Sequence, residues 1–76
     1  MKTKTRVLLI GNSARGHAIA EAVIKSRHKP DLFAYMKANN PGIAALADAT
    51  KIGEYNDLAR IMSFVRAQDI NFAVID

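Results

Sequence analysis

The residues best suited to chemistry in this sequence lie in one short segment, Gly-Asn-Ser-Ala-Arg-Gly-His, which occupies positions 11–17. A glycine permits a sharp exit from a strand and lets a ligand approach the backbone closely. Arginine offers a planar fork of N–H donors that suits a phosphate, and amides at a helix start favour bound anions. We therefore predict an anion-binding turn whose binding residues are Gly11, Asn12, Ser13, Arg15 and His17.

A strand before this turn and a helix after it would have to position its residues. The continuous apolar block Val-Leu-Leu-Ile at 7–10 predicts a strand from Thr5 to Gly11, and the apolar spacing after Ala14 predicts a helix that ends near Arg27. Ser13 or Asn12 can provide the N-cap of this helix. Continuous apolar strands are typical of parallel sheets that are covered on both faces.

Strands and helices continue to alternate along the rest of the chain. Leu58, Ile61, Met62 and Val65 have the spacing of one buried helical stripe. With right-handed crossovers, this order predicts an α/β fold, a three-layer sandwich around a small parallel sheet of the Rossmann-like type. The further predicted elements are a strand over Asp31–Met36, a turn over 39–42, a short helical segment over Ile43–Ala49, a short strand over Thr50–Ile52, a helix capped by Asn56, and a strand over Asn71–Ile75.

Composition limits the classes of protein that remain. A chain of 76 residues that is 50% hydrophobic and 24% charged fits one globular domain over residues 1–76. The absence of cysteine excludes disulfides and thiolate metal sites, and the longest apolar run is far shorter than the roughly 20 residues that span a bilayer. The net charge of +4 favours an anionic ligand. We expect a cytoplasmic protein without a membrane or nucleic-acid partner.

The segment at 11–17 also invites comparison with the dinucleotide-binding pattern G-x-G-x-x-G. Ser13 replaces the second glycine, and Met36 and Lys37 stand where that pattern needs an acidic acceptor for ribose hydroxyls. Binding of a nicotinamide nucleotide is therefore a weaker alternative. The scattered carboxylates and the two histidines predict no metal site and no catalytic residue in this chain.

Residues 7–20 resemble the start of the phosphoribosylamine–glycine ligase family, which reads approximately V-L-V-I-G-S-G-G-R-E-H-A-L-A. Residues 40–44 are similar to the family's Pro-Gly turn after the second strand, and residues 69–75 to its fourth strand. The resemblance implies a Rossmann-like, pre-ATP-grasp N-terminal domain that binds phosphoribosylamine, with Pro41 and Gly42 in a second binding turn. Two positions depart from the family: Ser13 replaces a glycine, and Gly16 replaces a glutamate.

For the whole enzyme, the resemblance implies that ATP and Mg²⁺ drive the joining of glycine to phosphoribosylamine in purine synthesis, through an acyl phosphate. The ATP-grasp and C-terminal parts of that family do not match anything in these 76 residues. We therefore expect a chain that binds a phosphoribosyl compound, requires no cofactor of its own and has no catalytic activity alone.

The last predicted strand suggests a different class of function. If this strand lies at the edge of the sheet, its outer backbone groups and one apolar face need a partner. Self-association would cover both, and we expect a homo-oligomer, either a dimer or a swapped assembly. A non-enzymatic interaction module therefore stands beside the substrate-binding domain as an alternative.

Overall fold

The computed structural model describes residues 4–76, in which strands and helices alternate regularly. The strands are β1 (Arg6–Ile10), β2 (Asp31–Met36), β3 (Ala49–Ile52) and β4 (Phe72–Ile75). The helices are α1 (Ala14–Ile24), α2 (Pro41–Leu46) and α3 (Leu58–Ala67). This succession confirms the predicted α/β class.

All strand pairs in the sheet are parallel, and the strand order is β3-β2-β1-β4. Val7 of β1 aligns with Leu32 of β2 on one side and with Phe72 of β4 on the other. The chain builds outward from β1 to β3 and then crosses back to place β4 beside β1. The direction of winding therefore reverses between β1 and β4, where parallel sheets of this kind open a crevice at the carboxyl ends of the strands.

Helices cover both faces of the sheet, which explains the continuous apolar block in β1. Leu9 packs in a cluster with Ala20 of α1 and Ile43 of α2. Leu8 points to the opposite face and packs in a cluster with Ile61 and Phe64 of α3. Because neighbouring side chains of a strand alternate between faces, both must be apolar when both faces are covered. The predicted three-layer arrangement is confirmed.

Several predicted boundaries were wrong by a few residues. α1 ends at Ile24 rather than near Arg27, because the apolar spacing stops there and the Ser26 N–H bonds back to the Val23 carbonyl in a tighter turn. The short helical segment ends at Leu46, and β3 begins at Ala49.

The caps of the two later helices also differ from the prediction. Pro41 and Gly42 form the first turn of α2 instead of a turn that precedes it, with the Asn40 Oδ1 accepting from the Gly42 N–H at 2.9 Å. Proline suits this position because the first helical N–H has no partner within the helix. Asp57, rather than Asn56, caps α3, because its Oδ1 accepts from the Arg60 N–H at 3.1 Å.

The apolar stripe predicted for α3 is only half buried. Of the four predicted residues, Ile61 is buried and Val65 is half-buried, whereas Leu58 is 70% exposed and Met62 is 45% exposed. Phe64, which the predicted stripe did not include, is buried against the sheet. The residues that pack under α3 belong mainly to β1 and β2, including Leu8. Periodicity identified an apolar face on this helix, but the described part of the chain covers only one side of it.

No helix within residues 4–76 is both long enough and apolar enough to cross a lipid bilayer.

Tyr35 provides a test of the α3 side of the core. Its side chain is fully buried, its hydroxyl donates to the Glu54 carbonyl at 2.8 Å, and burial, followed by the charge of Asp57, raises its pKa above the ordinary value. The neutral form is therefore favoured in the folded state. The stabilising effect is complete below about pH 10, where an unfolded tyrosine begins to ionise, and is lost at higher pH.

We therefore expect Tyr35→Phe to lower the free energy of unfolding at neutral pH and to flatten its decline at alkaline pH. Urea unfolding at pH 7 and at several values above about pH 9.5 measures both effects. Tyr55→Phe is the control for the pH profile, because it also removes one tyrosine hydroxyl, but from an exposed side chain. Parallel pH profiles for Tyr35→Phe and the unaltered chain would contradict the prediction.

Candidate functional site

Gly11 forms the sharp exit from β1 that its residue type predicts. Its φ angle is +149°, a conformation that side-chain-bearing residues rarely adopt. A Cβ atom at this position would lie 2.6 Å from the Cβ of Asp76. Its N–H donates to the Tyr35 carbonyl at 3.1 Å, so the turn is fastened to β2. Glycine is therefore required here both by the backbone angle and by the close approach of another residue.

Some of the backbone amides at the start of α1 are hydrogen-bonded within the protein. Ser13 is the N-cap, with its Oγ accepting from the Gly16 N–H at 3.2 Å, and the His17 N–H donates to the Ser13 carbonyl at 3.0 Å. The first helical residues have no acceptor one turn earlier in the helix, which applies here to Ala14 and Arg15. The N–H groups of these two residues are therefore left without an acceptor within α1.

Asp76 is the residue of this region that sequence reasoning missed. The Asp76 N–H donates to the Ile10 carbonyl at 2.9 Å, which places Asp76 directly after β4 and beside the turn. Its carboxylate accepts a hydrogen bond from the Ser13 hydroxyl. The first turn of α1 has no acidic residue of its own, so Asp76 brings a carboxylate to the positive end of the helix dipole from another strand.

Asn12 joins the three loops at this edge of the sheet. Its Nδ2 donates to the Ala38 carbonyl at 3.0 Å, and its Oδ1 accepts from the Tyr55 hydroxyl at 3.1 Å. Its main-chain carbonyl accepts from the Asn40 Nδ2 at 3.0 Å. Because its side-chain amide is already engaged with the protein, the structure gives Asn12 a role in holding the loops together.

The two predicted turns lie beside each other, because α1 packs against α2. A Cβ atom at Gly42 would lie 2.8 Å from the His17 Cε1, so the imidazole lies directly against the backbone of Gly42. Pro41 precedes this contact, and Arg15 is exposed at the start of α1. The fold thus brings His17, Pro41 and Gly42 together, and leaves the guanidinium of Arg15 open to solvent.

A cleft of about 400 Å³ opens on the α3 side of the same edge. Its volume is in the range of small-molecule sites. It lies where the winding reverses between β1 and β4, and Asp76 borders both the cleft and the α1 turn. The residues that line it are Ile10, Tyr55, Leu58, Ile61, Ile75 and Asp76. Apart from Asp76 and the Tyr55 hydroxyl, this lining is apolar, and no local sequence signal identified it.

Within the described range 4–76, no three His, Asp or Glu side chains come together in a way that would hold a metal ion.

The Ser13 cap provides a direct stability test of the turn. We expect Ser13→Ala to lower the free energy of unfolding by about 1 kcal/mol, because the Gly16 amide loses its acceptor and the Asp76 carboxylate loses its donor. Ser63→Ala is the matched control, since Ser63 is exposed inside α3 and alanine favours helices. Chemical denaturation of both variants measures the difference, and equal stabilities would contradict the assigned cap.

Sequence similarity to known proteins identifies the family of this chain. The family model described as "Phosphoribosylglycinamide synthetase, N domain" matches residues 5–76. The chain is 39% identical over 70 residues to phosphoribosylamine–glycine ligase from Methanosarcina barkeri, which covers 92% of the chain and 16% of that protein. It is 39% identical over 72 residues to the enzyme of the same name from Methanosarcina acetivorans (95% and 16%), and 40% identical over 70 residues to that from Methanococcus maripaludis (92% and 16%).

The chain spans about one sixth of the length of these relatives, and the matched part contains β1, the Gly11 turn and every later element of the sheet. The match to the family model extends over nearly the whole chain. The resemblance first indicated by residues 7–20 is confirmed. The chain therefore belongs to the phosphoribosylglycinamide synthetase N-domain family.

Proposed function

We propose that this chain is the substrate-binding N-terminal domain of an ATP-dependent phosphoribosylamine–glycine ligase of purine biosynthesis. In this proposal, phosphoribosylamine binds at the turn between β1 and α1, next to the start of α2. The observation that carries the proposal is the open end of α1, which lies at the carboxyl edge of a parallel sheet in a chain of this family. Ligands of such sheets collect at this edge.

Charge and hydrogen-bonding capacity support a phosphate-bearing ligand. The amides of Ala14 and Arg15 have no acceptor within α1, and the exposed Arg15 guanidinium can reach toward a bound phosphate. The helix dipole favours negative charge at the same point. His17 and Gly42 would form the wall of the site toward α2, because their contact closes that side of the turn.

The proposed role is binding and orientation without catalysis. Joining glycine to the amine through an acyl phosphate requires ATP, Mg²⁺ and cationic groups on the transferred phosphoryl group. The proposal assigns no step of that chemistry to the described residues. The proposal places such a ligase in the cytoplasm.

Titration with ribose 5-phosphate tests this proposal. We expect the largest changes in amide chemical shift at Ala14 and Arg15, because their N–H groups have no acceptor within α1. Arg15→Ala is expected to weaken binding about tenfold or more, since hydrogen bonds to charged groups contribute roughly 1.5–3 kcal/mol. Arg27→Ala is the matched control, because it removes the same charge beyond the other end of α1.

Two results would remove the substrate-binding proposal. One is an absence of shift changes around positions 11–17 at high concentrations of ribose 5-phosphate. The other is equal weakening by Arg15→Ala and Arg27→Ala, which would indicate a general effect of net charge in place of a defined contact.

The exposed apolar residues of β4 favour self-association as a second candidate function. Phe72 is 59% exposed and Ile75 is 78% exposed, and β4 lies at one end of the strand order in the described sheet. β4 contains no lysine or proline, the residues that often protect sheet edges from pairing. We propose a second copy of this chain as the occupant, since it would bring an equally apolar edge.

Light scattering over a range of protein concentrations tests the self-association. We expect the mean mass to increase with concentration, and Phe72→Lys to reduce that increase by placing a charge on the edge. A constant monomer mass at the highest concentration would exclude this candidate.

A further inference from the structure

The outer edge of β4 directs the main-chain groups of Ala73 and Ile75 away from the sheet. We propose that a second copy of this chain pairs with this edge, antiparallel and in one register, so that the two sheets join about a two-fold axis at Val74. This inference rests on the proposed self-association and gives it a defined geometry.

The hydrogen bonds between β4 and β1 show which main-chain groups point outward. The Asp76 N–H donates to the Ile10 carbonyl at 2.9 Å, so the main chain of Asp76 faces β1. Main-chain groups of successive residues in a strand point to opposite sides, so those of Val74 face β1 as well. The N–H and carbonyl groups of Ala73 and Ile75 therefore point away from β1, to the side where the described sheet has no further strand.

One antiparallel register uses both outward residues fully. When Ala73 of one copy pairs with Ile75 of the other, two such pairs form around the axis at Val74, and together they exchange four hydrogen bonds. A register centred on Ala73 would place Ile75 opposite Asn71. The Asn71 N–H already donates to the Arg6 carbonyl at 3.0 Å, so that pair is incomplete. A register centred on Ile75 would place Ala73 opposite a position outside β4 of the second copy.

The side chains of β4 suit this register. Ile75 aligns with Ile10 on the α3 face, where it is exposed and would lie opposite Ala73 of the second copy, so that a large side chain meets a small one. On the α1 face, the two Val74 side chains would meet at the axis. β4 contains no charged residue. The two Asp76 residues would lie roughly 14 Å apart, beyond the screening length of about 8 Å at physiological ionic strength. A second copy therefore meets this edge without opposing like charges.

Single-cysteine variants measure the register, since the chain contains no cysteine. Opposite residues of a non-hydrogen-bonded antiparallel pair have Cα atoms about 4.5 Å apart, within the range of roughly 4.4–6.8 Å found in disulfides. We expect Val74→Cys to form a disulfide-linked dimer under mild oxidation about tenfold faster than Phe72→Cys. Phe72→Cys is the matched control, because Phe72 lies on the same face and is more exposed, yet its two copies would be roughly 14 Å apart.

A proline variant tests the hydrogen bonds of the pairing. Ala73→Pro removes an N–H that points away from β1, and edge strands tolerate proline at such positions. We expect circular dichroism to show a folded protein whose mean mass by light scattering no longer increases with concentration. Ala73→Ser is the matched control, since it keeps the N–H and a small side chain, and we expect it to associate like the unaltered chain. If Ala73→Pro does not fold, the cysteine rates decide.

The outcomes separate this pairing from the proposed self-association. A monomer of the unaltered chain at the highest concentration would overturn both. If the chain associates but Val74→Cys cross-links no faster than Phe72→Cys, the pairing is overturned and self-association stands. Association of folded Ala73→Pro as strong as that of Ala73→Ser would have the same meaning. Faster cross-linking of Leu58→Cys than of Val74→Cys would place the second copy against α3 and would also overturn the pairing.

Discussion

Gly11→Ala is expected to lower the free energy of unfolding by about 3 kcal/mol, since a strained backbone angle costs roughly 1–3 kcal/mol and overpacking a similar amount. Alanine at this position must adopt a φ of +149° or shift the turn, and its Cβ would lie 2.6 Å from the Asp76 Cβ. A small domain has little stability in reserve. We therefore expect a large unfolded fraction at room temperature, measurable by circular dichroism and urea titration.

Gly16→Ala is the matched control for this substitution. A Cβ atom at Gly16 would approach the terminal Oδ2 of Asp76 at 3.1 Å, which a small side-chain rotation relieves. Gly16 also lies in α1, where alanine is favoured over glycine by about 1 kcal/mol. We expect a change within about 1 kcal/mol of zero. Similar losses for the two variants would contradict the special conformation of Gly11.

The destabilisation expected for Gly11→Ala has two causes, backbone strain and a steric clash with Asp76. A second variant can separate them. Asp76→Gly in the Gly11→Ala background removes the nearest atom of the clash and leaves the backbone strain in place. We expect it to recover only part of the lost stability. Complete recovery would assign the whole requirement for glycine to the neighbouring side chain.

Leu8→Ala is expected to lower the free energy of unfolding by about 3–4 kcal/mol, the usual range for a leucine deleted from a well-packed core. Leu8 is 0% exposed in the middle of β1 and packs in the cluster that joins β1 to α3. The cavity left by alanine has little opportunity to collapse, because backbone hydrogen bonds hold β1 between β2 and β4. Urea unfolding followed by circular dichroism measures the loss.

Leu58→Ala is the matched control for Leu8→Ala, because it removes the same side-chain atoms from an exposed site at the start of α3. We expect a change of about 0.5 kcal/mol or less in dilute protein, as for most surface substitutions. If a second copy covers Leu58, its replacement will cost more as protein concentration increases, because association stabilises the folded state by mass action. A large loss of unfolding free energy at low protein concentration would contradict the exposed position of Leu58.

Asp76 and Gly16 together show how this chain differs from the family pattern around the turn. The family resemblance places a glutamate at the position of Gly16. Here that position has no side chain, and the Asp76 carboxylate lies against it instead. A carboxylate at the start of α1 is thus supplied by Asp76, which directly follows β4, and the absence of a Cβ at Gly16 provides the room for it.

Local rules in the sequence were sufficient for most of the fold. The apolar block at 7–10 predicted a strand covered on both faces, and Leu8 and Leu9 do pack on opposite faces. Ser13 was one of two expected caps, and it caps α1. These features depend on a residue and its near neighbours, so that spacing, side-chain type and backbone preference determine them.

Tertiary structure decided the features that join distant segments. Asp76 reaches the turn only because β4 pairs with β1, a pairing between residues more than 60 positions apart. Asn12 holds three loops because the carboxyl ends of β1, β2 and β3 meet at one edge. The exposure of Leu58 and Met62 depends on how far the sheet extends beneath α3. Periodicity along a chain identifies an apolar face, but only the packing of remote elements decides whether that face is covered and which charge meets a helix end.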